Sequence, residues 1–273
     1  MVKSMILFLK GILIGIGKVI PGVSGALLAI NFNVYEKLID SVTNFFSDPK
    51  NNLKFILLIG VGILLSIVFG SNLIKYLLQY YYFLTMMFFL GLIIGGTYNF
   101  SKDIHFKRYD LLIIIPIIVF IIFFGIGNKN SIYIIKGNII DNVVFFFGGF
   151  IEAFTSIIPG ISGTAIEMIL GIYNNIIELI GSMFNVSYVI NNFNLYFSFG
   201  LGLFISFIIS IILVNFGLKK YPRISNVIIF GLCISSIILL IKMTFSTKFV
   251  FIEFIIGIML LVLGLLVSSI MDK

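Results

Sequence analysis

Two hexapeptides hold the residue types in this chain that could bind an anion. Ile20-Pro21-Gly22-Val23-Ser24-Gly25 returns as Ile158-Pro159-Gly160-Ile161-Ser162-Gly163, and each interrupts a long apolar stretch. Proline has no N–H with which to continue a helix, and glycine permits a tight reversal. Ser24 or Ser162 then stands where the helix that follows needs an N-cap. The turn and the first helical residues carry unpaired N–H groups, with the positive end of the helix dipole at the same spot. Such an end suits an oxyanion, phosphate above all, and two of them face to face make one site. The candidate binding residues are therefore Pro21, Gly22, Ser24 and Gly25 with Pro159, Gly160, Ser162 and Gly163.

Charged residues flank both breaks. Lys18 precedes Pro21 by three positions, Glu152 precedes Pro159 by seven, and Glu167 follows it by eight. Ionisable groups inside membrane segments cost free energy and tend to mark function. Lys18 could neutralise a bound phosphate; Glu152 or Glu167 could exchange protons and couple movement of the anion to a proton gradient. The competing reading lets Lys18 snorkel to the headgroups and leaves the glutamates in water at the mouth of a hairpin. Tyr35 and Tyr173 occupy matching places after the two breaks, as interfacial anchors or packing residues. His105 is the only histidine and lies in a polar stretch, while Cys233 is the only cysteine. That leaves no disulfide within the chain and no multi-cysteine metal site, and no cofactor is expected.

The elements that must position these residues lie in a bilayer. Of 273 residues 60% are hydrophobic and 11% charged, against about 45–50% and about 25% in soluble domains. Apolar runs long enough to cross hydrocarbon are read at Leu53–Ile74, Tyr80–Thr97 and Leu111–Gly127, then at Leu195–Phe216, Ile224–Ile241 and Phe249–Ile270. The stretches around the two breaks, about 5–46 and 143–184, are each two segments short for a span. They read as re-entrant hairpins. At an offset of 138 the two breaks align, and at 140 the match continues through Gly60/Gly200, Gly62/Gly202, Ser66/Ser206 and Tyr81/Tyr221. The chain therefore reads as an internal duplication, residues 1–128 and 129–273, within one integral membrane domain. The expected fold is an all-α polytopic membrane protein, each half a re-entrant hairpin plus three transmembrane helices.

Three crossings per half invert the second copy relative to the first. Placing the N-terminus on one side puts 13 of the 18 lysines and arginines there and leaves Lys75, Lys129, Lys136, Lys242 and Lys248 on the other. The positive-inside rule makes the richer side cytoplasmic, with both termini inside. The net charge of +7 is thus read as loops facing anionic lipid rather than as a nucleic-acid surface. Inverted repeats with broken helices near the midplane are a recurring transporter plan.

The blocks KGILIGIGKVIPGVSGALLAINFNVYEKLI and GGFIEAFTSIIPGISGTAIEMILGIYNNII, with the later YPRISNVIIFGL, resemble the PopT-type polyprenyl-phosphate translocases over essentially the whole chain. The resemblance implies return of undecaprenyl phosphate from the outer to the cytoplasmic leaflet of the cell membrane. It carries the site onto residues 21–25 and 159–163, and the second block also retains Thr164. The first block departs from the family pattern: Gly17-Lys18 stand where an Ala-Asp pair is usual, and Asn31-Phe32-Asn33 replace a small-residue segment.

Two other readings compete. A carrier of a small anion could share this architecture. A polyprenyl-pyrophosphate phosphatase of the BacA type also pairs re-entrant hairpins, but its block ends in an arginine that holds phosphate oxygens. Gly25 and Gly163 occupy that position here, and neither hairpin contains arginine. Oligomeric state is not legible.

Overall fold

A computed structural model describes residues 2–20, 23–102, 104–125, 133–159 and 163–271. The described residues are helical, with no strand among them. In chain order the helices are α1 (Val2–Val19), α2 (Gly25–Asn31), α3 (Tyr35–Thr43), α4 (Pro49–Tyr80), α5 (Tyr82–Ser101), α6 (Leu111–Gly125), α7 (Ile139–Ile157), α8 (Gly163–Leu170), α9 (Tyr173–Gly181), α10 (Val186–Asn191), α11 (Phe193–Lys220), α12 (Pro222–Phe245) and α13 (Phe251–Met271). The order long, short, short, then three long helices runs twice, with α10 inserted in the second round.

Local signals set the boundaries. Asp48 caps α4, accepting from the N–H of Asn51, with Pro49 in the first turn, the position where its missing N–H costs nothing. Asn138 and Asp141 form a reciprocal capping box at the start of α7, and Pro222 opens α12. Between α2 and α3 the chain turns through Asn33 at φ 55°, and between α8 and α9 through Gly171 at φ 74°. These two residues are equivalent in the alignment, and asparagine is among the few non-glycine residues that enter the left-handed region readily.

Among the described residues six helices are long and apolar enough to cross a membrane: α4, α5, α7, α11, α12 and α13. Two elements differ by this length measure from the sequence reading. The described part of α6 has 15 residues, short of the roughly 20 that span hydrocarbon; residues 126–132 lie outside the described residues. Conversely α7, read as a short hairpin arm, has 19 residues and meets the criterion.

Helix packing is organised in parallel pairs. Along α1 and α4, Gly11 meets the backbone of Ile59, Gly62 that of Phe8 and Ile12, and Gly15 that of Ile63. Along α7 and α11, Gly149 lies on Phe199 and Gly202 on Phe146, while the Ser206 hydroxyl donates to the Phe150 carbonyl at 2.7 Å. Gly91 and Gly264 play the same reciprocal part between α5 and α13. Without a Cβ at these crossings the backbones touch, the usual basis of association between helices in lipid. Because α4 starts beside the start of α1, the chain leaving α1 must return before α4 begins, and α2 and α3 make that return. Helices α8–α10 stand between α7 and α11 in the same way.

Polar contacts gather at one end of the bundle. Arg223 holds both carboxylate oxygens of Asp110 at 2.7 and 2.6 Å, and Lys219 lies 3.4 Å from Asp40. Lys219 and Arg223 are among the 13 basic residues that the charge count places on one side. The core centres on α2, every residue of which is buried. It packs against α5, where Gly96 admits Asn31 and the Asn31 amide donates to the Ile93 carbonyl at 3.3 Å.

Candidate functional site

The helices that flank the two breaks meet. Lys18, in the last turn of α1, reaches across to Glu152 on α7, Nζ to Oε1 at 3.1 Å; their side chains are 33% and 30% exposed. This ion pair joins residues 134 apart in sequence. Each partner also sits against a glycine of a repeated motif. A Cβ on Gly25 would stand 3.0 Å from Cγ of Lys18, and one on Gly163 would stand 3.0 Å from Oε2 of Glu152. The glycines that open α2 and α8 thus leave room for the two charged side chains.

A second link crosses the same junction. The Tyr35 hydroxyl, buried, donates to the Ile157 carbonyl at 2.7 Å. Ile157 ends α7, where carbonyls lose their intrahelical partners. The first hairpin thereby satisfies a carbonyl that the second break frees. Lys10 does comparable work within the first hairpin: its buried ammonium donates to the Phe32 carbonyl at 2.8 Å, at the negative end of α2.

Among the described residues of the junction, one atom of Ser24 and one of Glu167 are buried without a hydrogen bond. Ser24 is 8% exposed and its hydroxyl makes no hydrogen bond. It occupies the N-cap position of α2, yet the cap bond expected from the sequence is not made. Glu167, on α8, is 2% exposed with Oε1 unsatisfied, and it interacts electrostatically with Glu152 and Lys18. Buried groups of this kind are uncommon and costly. Pro159 is buried at the end of α7. Pro21, Gly22, Gly160 and Ser162 lie outside the described residues, as does the side chain of Thr164.

The chemistry available is reversible anion exchange. Lys18 is held by a carboxylate that a phosphate could displace, beside a serine hydroxyl with free hydrogen-bonding capacity. Sequence reasoning missed the Tyr35 bond to the carbonyl at the second break and the Lys10 bond to the end of α2; the repetition of Tyr35 as Tyr173 was the one available signal. It also passed over Ser156, which lies next to the ion pair and donates to the Glu152 carbonyl at 2.5 Å.

Comparison with known proteins places these features in context. A family model described as VCA0040-like, undecaprenyl phosphate translocase-like, matches residues 14–190. A polyprenyl-phosphate transporter of Staphylococcus aureus is 26% identical over 237 residues, covering 84% of this chain and 83% of that protein. One of Vibrio cholerae is 30% identical over 184 residues, 61% of this chain and 57% of that protein. No solved structure matches.

Proposed function

The chain belongs to the undecaprenyl phosphate translocase-like family, and from that premise we propose that it is a polyprenyl-phosphate transporter returning undecaprenyl phosphate from the outer to the cytoplasmic leaflet of the cell membrane. The observation that carries the reading is the Lys18–Glu152 pair at the junction of the two breaks. In this mechanism the lipid phosphate displaces Glu152 from Lys18 and takes a further hydrogen bond from Ser24. Ser162 and the backbone of residues 21–22 and 160 complete the cradle. Glu152, once displaced, or its neighbour Glu167 picks up a proton, which ties lipid movement to the proton gradient. The halves act as inverted copies, each a re-entrant hairpin with three spans, and both termini lie in the cytoplasm.

The same reading makes the protein a carrier rather than a phosphatase. Phosphoryl transfer needs donors fixed on the developing charge, and glycine stands at both positions where the phosphatase block has its arginine. Leaflet-resolved movement of undecaprenyl phosphate in proteoliposomes tests the proposal. The wild type should accelerate flipping in a pH-gradient-dependent manner, and Lys18→Ala should lose at least about tenfold, the equivalent of roughly one charge-assisted hydrogen bond. Wild-type protein, shown to be folded, that leaves flipping at the rate of empty vesicles would remove the reading.

A further inference from the structure

Gly60 and Gly200 are glycines for which helix packing gives no reason. Each lies two positions before a glycine that packing requires: a Cβ on Gly62 or Gly202 would strike the carbonyl of Phe8 or Phe146, whereas one on Gly60 or Gly200 would meet nothing within 4 Å. Glycine inside a helix is destabilising relative to alanine. Two at equivalent places, both facing open space, indicate that the space itself is used.

That space is continuous with the charged junction. A cavity of about 370 Å³ runs from Lys18 and Gly25 past Tyr35 to Gly60 and Ile63 on α4. A second, of about 540 Å³, runs from Lys18 and Glu152 to Gly200 and Phe204 on α11. Both are bordered by Lys18, Ser156, Ile157 and Phe207. Beyond Lys18, Glu152, Ser156 and the Tyr35 hydroxyl the lining is aliphatic, aromatic or glycine. On α11 the groove reaches the lipid-facing surface, where Phe204 is 63% exposed and Phe207 45%.

We propose that this groove between α4 and α11 receives the first isoprene units of the lipid, with its phosphate at Lys18 and the rest of the chain in the bilayer. The proposal rests on the carrier reading above and names the subsite that reading lacks. The occupant follows from complementarity: a lysine whose carboxylate partner an anionic head can displace, at the inner end of an apolar trench that opens sideways into lipid, matches a ligand with one anionic head and a long branched hydrocarbon. The trench takes its width from absent side chains, which suits a chain carrying a methyl branch on every unit.

The test compares the affinities of undecaprenyl phosphate and of methyl phosphate, which carries the head without an isoprene unit, for purified full-length protein and its variants. Gly60→Leu and Gly200→Leu should each reduce the preference for the long chain about tenfold, the loss of burying roughly two methylene groups, while Lys18→Ala weakens both ligands together. An unchanged long-to-short ratio in both glycine variants overturns the groove and leaves the carrier reading standing. Failure of the wild type to bind either ligand removes the carrier reading and the groove with it. A measurement on unmutated protein guards against misfolding: undecaprenyl phosphate with a diazirine in its first isoprene units should label α4 and α11 around residues 56–63 and 200–207. Labelling elsewhere, label displaced equally by phosphatidylglycerol, or protection of the groove by a second copy of the chain each counts against the proposal.

Discussion

At the scale of single residues, Lys18 and Glu152 are brought together by the fold alone. Lys18, Glu152 and Glu167 stood out as charges in apolar surroundings. Nothing in the sequence ties Lys18 to Glu152, because no local periodicity connects residues 134 apart; only the folded junction does. Asn33 makes the opposite point. In sequence the Asn31-Phe32-Asn33 segment looked like a departure from the family pattern, yet Asn33 adopts the same left-handed backbone as Gly171. The backbone requirement is shared and two different residues meet it. Asn33→Gly should therefore leave thermal stability in detergent unchanged or slightly higher. Asn33→Val should lower it by about 1–2 kcal/mol, the cost of a Cβ crowding the following carbonyl in that conformation. Equal melting of all three proteins would mean that the turn relaxes away from φ > 0.

At the scale of elements, apolar runs of about 20 residues are hard to disguise, and each of the six expected spans overlaps a helix, α6 by its described residues 111–125. The two breaks were equally visible, since proline and glycine interrupt those runs. What the pattern did not separate was the division of labour within Gly60-Val61-Gly62 and Gly200-Leu201-Gly202. The two glycines of each triplet read alike, but only the second lies under a neighbouring carbonyl. Gly202→Leu should push α7 off α11 and cost about 1–3 kcal/mol or more, as overpacking does, whereas Gly200→Leu should keep the wild-type melting temperature. The pair of substitutions, two residues apart, separates packing from binding on one helix. Similar losses from both would show that the first glycine is structural after all.

At the scale of the whole molecule, the parallel pairs, the repeated element order and the charged end formed by Asp40, Asp110, Lys219 and Arg223 make a specific claim about sidedness. Asp48 follows the first hairpin and Ser187 the second, and both are exposed. The native thiol is a clean background, because Cys233 is fully buried. In intact cells a membrane-impermeant maleimide should label Ser187→Cys directly and Asp48→Cys only after permeabilisation, with Cys233 silent throughout. Labelling of both positions from one side would refute an inverted second half.

The reciprocal glycine crossings carry a mechanical consequence. Where backbone lies on backbone, one helix cannot slide along the other without lifting side chains over a carbonyl, so α1 with α4, and α7 with α11, behave as stiff bodies. Any rearrangement that exposes the junction first to one face of the bilayer and then to the other must be taken up between those bodies, as rocking rather than shear. The bonds that span that boundary are of a kind that can change partners: a lysine on a carboxylate and a tyrosine hydroxyl on a carbonyl left over at a helix end. The fold thus keeps its fixed contacts within each arm and its exchangeable ones across the pivot.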